Sequence, residues 1–172
     1  MRTHAVQLML ALALAALLPA ASATEARQPT DTQIDRQLVS QLTATISSRA
    51  ALDAYLAKEP LQSPLLQLSA ENRRSFINSL VFGANGLGSY DYQPLLKADF
   101  LDAYKILRLF GSEQSLAVVV EKFRPSASRA GRQVALLLKH DAGLSEMNRV
   151  DSECWKGACR GRLGHICVAG GC

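Results

Sequence analysis

Phe82-Gly83-Ala84-Asn85-Gly86-Leu87-Gly88-Ser89-Tyr90-Asp91-Tyr92 interrupts a body that otherwise reads as helix after helix. Asn85-Gly86 is a turn signal, because both residue types tolerate the left-handed region. The spacing of Gly83, Gly86 and Gly88 does not make a phosphate-binding loop. Such a loop needs a preceding strand and a Gly-Lys-Ser/Thr ending whose lysine reaches the phosphates, and here Ser89 follows Gly88. A dinucleotide fingerprint fails on spacing and on the missing strand. The stretch therefore reads as a wide turn between helices, with glycines supplying positive φ. On such a loop Leu87, Tyr90 and Tyr92 are candidates for contact with a partner.

Upstream, Ile34, Leu38, Leu42 and Ile46 recur every four residues. That spacing predicts an amphipathic helix with this stripe facing inward, capped by Thr30 or Asp31. A second helix follows over Ala50–Leu56 and must stop before Pro60. Ser63-Pro64-Leu65-Leu66 reads as a capped, proline-initiated helical turn. A further helix begins near Ser69, with Phe76, Ile77, Leu80 and Val81 inward.

Downstream, Phe100, Leu101, Tyr104 and Leu107 set another helix, and Gly111 is its natural stop. Leu116-Ala117-Val118-Val119-Val120 has strand-like β-branching, and Gln133–Leu138 offers a partner across a long turn. A lone hairpin is marginal in water, and nothing upstream reads as a sheet. Both segments are therefore expected to be helical. The fold expected is mostly α: five to six helices over residues 31–150, then a basic cysteine-rich tail over 151–172.

The N-terminus points to export. Arg2 and His4 precede an apolar run from Ala5 to Ala20, and Ala21-Ser22-Ala23 is a small-x-small cleavage site. This is the layout of a secretory signal peptide over residues 1–23, with 24–30 a polar lead. The run is shorter than a comfortable membrane span, and no later stretch is long and apolar enough to replace it. A periplasmic or secreted destination follows.

Charge is uneven. Residues 24–121 carry nine basic and eleven acidic side chains, whereas residues 122–172 carry nine basic and four acidic ones. The positive third suits another protein or an anionic envelope surface. Nucleic acid is not expected as a partner, because after Phe110 the aromatics are only Phe123 and Trp155.

Catalytic signals are thin. A Ser or Cys nucleophile needs a histidine base, and the mature chain offers only His140 and His165. No Gly-x-Ser-x-Gly elbow exists. The pairs Asp31/Asp35 and Asp99/Asp102 have helical spacing that would suit a metal or a hydrolase, but solvated helix faces give the same pattern. No enzyme activity and no cofactor is expected, and no catalytic or metal residue is assigned.

The four cysteines, Cys154, Cys159, Cys167 and Cys172, have the spacing C-x4-C-x7-C-x4-C. Zinc pairs usually have two to four residues between ligands, so x4 lies at the edge of that range. Export favours disulfides over free thiols, and a CxxC redox motif is absent. Two bridges are expected, and three connectivities are open. A nested Cys154–Cys172 and Cys159–Cys167 staple is slightly favoured. Trp155, Arg160 and Arg162 in this tail are further partner-contact candidates. The function expected is that of an exported, non-enzymatic binding or accessory protein. The alternatives are a thiol-redox or metal-binding role for the tail cysteines, and a hydrolase with scattered carboxylates. On the binding reading the tail should be removable without unfolding the helical body.

Overall fold

A computed structural model describes residues 31–58, 61–141 and 148–172. The expected signal peptide, the lead and Pro60 lie outside the described residues. The helices are α1 (Asp31–Leu42), α2 (Arg49–Ala57), α3 (Ala70–Ser79), α4 (Phe100–Arg108) and α5 (Arg129–His140). 3-10 segments run over Pro64–Gln67, Leu95–Lys97 and Glu113–Lys122. Serine caps open three of the helices: Ser48, Ser69 and Ser128 accept from the backbone N–H groups of Ala51, Asn72 and Gly131. Each satisfies one of the orphan donors of a first turn.

The mostly-α expectation is wrong. Four strands, β1 (Val81–Gly83), β2 (Gly86–Asp91), β3 (Arg149–Trp155) and β4 (Ala158–Cys167), form one antiparallel sheet in the order β1-β2-β4-β3. The molecule is α+β. The stretch 82–92 is not an inter-helix loop: it is most of a hairpin with Ala84-Asn85 at its turn. β2 then pairs with β4 through Ser89↔Cys167, Tyr90↔Ile166 and Asp91↔His165. A strand so rich in glycine and serine has little intrinsic β-propensity. It is a strand because a distant segment supplies its hydrogen bonds. A side chain at Gly83 would collide with the Gly171 carbonyl, and one at Gly88 would crowd the Cys154 sulfur. These glycines are close-approach positions.

The sheet also joins the tail to the body. The expected boundary at 150/151 falls inside β3, and Ile166, Cys167 and Val168 are fully buried. The Val168 N–H donates to the Gly88 carbonyl, and the Tyr92 N–H to the Gly164 carbonyl. Helix α4 fills the centre of the core with Phe100, Ala103, Ile106 and Leu107. Phe76 meets Tyr90 and Phe110 edge-on at 6.0 and 5.9 Å between ring centres, a favourable arrangement for aromatic quadrupoles.

Residues 116–120 lie in the 3-10 segment and residues 133–138 in α5, so both segments are helical as expected, although the premise that no sheet exists was false. Helix α1 departs from its stripe. Leu38 and Leu42 are 50% and 77% exposed, while Gln37 and Gln41 are buried. The Gln41 amide donates to the Ala169 carbonyl at 2.8 Å, and the Ser40 hydroxyl to Glu113 at 2.9 Å. Gly111, at φ +61, sits where any Cβ would strike the Ser40 carbonyl. α1 thus docks through its polar face onto a glycine.

Candidate functional site: a stapled, doubled-back hairpin

β3 and β4 form a hairpin closed by Lys156-Gly157, with φ of 51 and 80. Two consecutive positive φ values make a type I′ turn, whose twist matches that of the strands it joins. Trp155 and Ala158 pair across it. Lower down the register breaks. Val150 pairs with Ile166 and Ser152 with Gly161, so Arg162 to His165 are accommodated opposite the single residue Asp151. Asp151 takes a positive φ of 52 and Gly164 one of 79. The Asp151 carboxylate accepts from the Gly164 N–H at 2.9 Å and from the Tyr92 hydroxyl at 3.3 Å. At this bend the hairpin folds back over its own base.

The cysteines fix the doubled shape. They form two bridges, Cys154–Cys172 and Cys159–Cys167, which is the nested arrangement. The first ties the tip to the chain end and the second ties it to the base of β4. The sulfurs of Cys159, Cys167 and Cys172 lie within 4.8 Å of one another, so the two bridges form one sulfur cluster.

On the outer side the tip presents Trp155, half exposed. The Arg160 guanidinium lies over its ring at 4.2 Å, and the Lys156 ammonium lies 5.9 Å from the ring centre. Glu153 holds the arginines. Arg160 donates to one carboxylate oxygen through two nitrogens, at 3.1 and 2.8 Å, and Arg162 donates to the other. Glu153 is nearly hidden from solvent because two guanidinium groups lie across it, and not because it sits deep in the protein. Those hydrogen bonds, Arg162 first and Arg160 second, lower its pKa against a smaller opposing effect of desolvation. The result is a rigid aromatic-cationic platform.

Among the residues expected to contact a partner, the structure brings Trp155, Arg160 and Arg162 together on this platform. It does not bring Leu87, Tyr90 and Tyr92 there. All three are core residues, with exposures of 0%, 0% and 2%. The Tyr90 hydroxyl is spent on Ser115 at 2.7 Å, and burial pushes its pKa well up. Lys156 was missed by sequence reasoning. The signal that would have found it is the two-residue spacing between Trp155 and Ala158 inside the C-x4-C pair.

The other expected chemistries disperse. Asp99 caps α4 by accepting from the Leu101 N–H, and it also accepts from the Ser126 hydroxyl and the Ala127 N–H. Burial tends to raise its pKa, but those hydrogen bonds and nearby Lys105 outweigh it, so the net shift is downward. Asp102 pairs with Lys105 at 3.8 Å. His165 is buried and its Nδ1 faces the Leu163 carbonyl at 3.2 Å. A polar cleft of about 640 Å³ lies between the end of α1 and α4, but its Glu113 carboxylate turns into the protein toward Ser40. Among the described residues, no helix is long and apolar enough to cross a membrane. No protein-family profile matches this chain, and neither a curated protein nor a solved structure matches it.

Proposed function

We propose that this chain is an exported, non-enzymatic binding or accessory protein of the periplasm or extracellular space, and that the doubled-back hairpin is its contact surface. The observation that carries this reading is the half-exposed Trp155 with Arg160 stacked on it, on a tip tied down at both strands by disulfides. Tryptophan and arginine are enriched in binding hot spots, and an indole gives a large contact area with only two side-chain torsions to order. A pre-stiffened tip loses less conformational entropy on association than a free loop does. The two disulfides favour an oxidising compartment. The excess of basic groups in the C-terminal third suits an acidic protein surface or an anionic envelope component.

The test is capture from envelope extract by the immobilised protein and by Trp155→Ala and Trp155→Ala/Lys156→Ala variants. Both positions lie at a turn outside the core, so circular dichroism should be unchanged. A specifically captured species should be lost with the double variant. Identical capture by all three proteins would sink the proposal. Substitution at the tip replaces tail truncation as the test, because removing residues 151–172 takes two strands out of the sheet.

A further inference from the structure

We infer that the four sulfurs, once reduced, form a tetrathiolate site for a thiophilic d10 cation such as Zn²⁺, so that the staple and the metal site are two redox states of one cluster. This does not rest on the partner-binding reading. The geometric basis is the mutual approach of Cys159, Cys167 and Cys172, whose sulfurs all lie within 4.8 Å. Cys154, bonded to Cys172, supplies the fourth. In a tetrahedral site with Zn–S bonds of about 2.3 Å, neighbouring sulfurs sit about 3.8 Å apart. These three sulfurs are therefore near metal spacing already, whereas the Cys154 sulfur stands outside the group and has to swing in. Each bonded pair has to part by only about 1.7 Å from a disulfide length of about 2.05 Å, a change within the range of side-chain rotation.

What holds the sulfurs close is not only the bridges. Cys154 and Cys159 face each other across the β3–β4 ladder. Cys167 is fixed from both sides, opposite Ser89 of β2 and Arg149 of β3. Cys172 follows Gly171, which packs against the Leu87 carbonyl so closely that no side chain fits there. These constraints are hydrogen bonds and packing, and they persist when the sulfurs are reduced. Charge also fits. A divalent ion with four thiolates carries a net −2. The side chains of the hairpin, Arg149, Lys156, Arg160 and Arg162 against Asp151 and Glu153, carry a net +2.

Two molecules of a dithiol reductant deliver four electrons and four protons, cleave both protein S–S bonds, and each close to their own disulfide. One M²⁺ then binds the four sulfurs and displaces the four thiol protons. The ligands must be deprotonated, so affinity falls as pH falls.

The experiment uses the full chain, reduced without oxygen and freed of reductant. It is titrated with Zn²⁺ under native mass spectrometry, and with Co²⁺ for the absorption of a tetrahedral thiolate complex. One ion per reduced chain is expected, and none on the oxidised chain. Cys159→Ser and Cys172→Ser should each weaken zinc by at least the roughly 10–100-fold that loss of an outer-shell partner costs. Circular dichroism of the zinc-loaded reduced protein should match that of the oxidised one. The inference is overturned if the reduced chain stays folded without binding zinc more tightly than the oxidised form. It is overturned equally if zinc binds without restoring the native spectrum, or if the serine variants bind as the parent does.

Discussion

Cys159 and Cys167 belong to the same strand, yet their Cα atoms are 5.8 Å apart across eight positions. Eight steps of extended strand would span about 26 Å. The strand reaches that separation by bending at Gly164 opposite Asp151, and the bridge locks the bend. Because the fold on either side is hydrogen-bonded, the bridge acts mainly by restricting the unfolded chain. Loops of 8 and 18 residues correspond to about 2–3 kcal/mol each on the chain-entropy estimate. Cys159→Ser/Cys167→Ser should lower stability by about that amount and leave the native spectrum in place. Denaturant titration of the double variant against the parent reads the difference. A variant that loses its sheet signal at zero denaturant would show that the bridge builds the bend and does not merely hold it.

The tail is structural. Ile166 is fully buried on the strand that pairs with β2. Ile166→Ala should cost about 2–5 kcal/mol through lost contacts and a residual cavity. Deleting residues 151–172 should abolish cooperative unfolding altogether, since Tyr90 and Leu87 would lose their cover. Near-ultraviolet circular dichroism and thermal melts check both. A truncated chain with a sharp melting transition would return the tail to the status of an appendage.

The sequence conveys local structure well and pairing poorly, for a physical reason. The Ser63-capped Pro64 turn, the helix start at Ser69 and the Gly111 stop act within a few residues, and each stands where the local pattern put it. β2 owes its conformation to β4, far along the chain, and its glycines are chosen for close approach to Gly171 and Cys154. Nothing in residues 82–92 alone carries that information. Helix α1 failed in the opposite way: its apolar stripe is genuine, but its docking surface offers carbonyls and Glu113, so Gln37, Ser40 and Gln41 face inward. Trp155, Arg160 and Arg162 of the platform were legible because they stand out in the tail, whereas Lys156 and Glu153 were not. The tyrosines misled because loop and strand carry the same residue types.

Glu153 makes the hairpin acid-sensitive. Its pKa is lowered in the folded protein from 4.5. A depressed carboxylate stabilises the fold fully above its unfolded pKa and loses that stabilisation as pH falls through the folded value. The window therefore lies below pH ~4.5. Glu153→Gln should melt at a lower temperature than the parent at neutral pH, and the gap should close as pH falls through that window. The arginine partners are about half exposed, so added salt should narrow the gap as well. A gap that is constant with pH would mean that the glutamate acts through packing alone.

Asp99 distinguishes a structural carboxylate from a catalytic one. It holds the first turn of α4 and, 27 positions on, the Ser126 hydroxyl. Asp99→Ala removes a helix cap worth about 1 kcal/mol. It also takes one acceptor from the buried Ser126 hydroxyl, which keeps Ser128, and one from the exposed Ala127 N–H, which water can replace, so the total stays near that of the cap. Asp99→Asn keeps an acceptor for the cap but loses the charge, so it should fall between the two. Its destabilisation relative to the parent should shrink at acid pH, because the parent's depressed carboxylate loses its advantage there. Chemical denaturation at neutral pH and near pH ~3 ranks the three proteins. Equal stability of Asp99→Ala and the parent at neutral pH would mean that the Ser126 and α4 contacts contribute nothing.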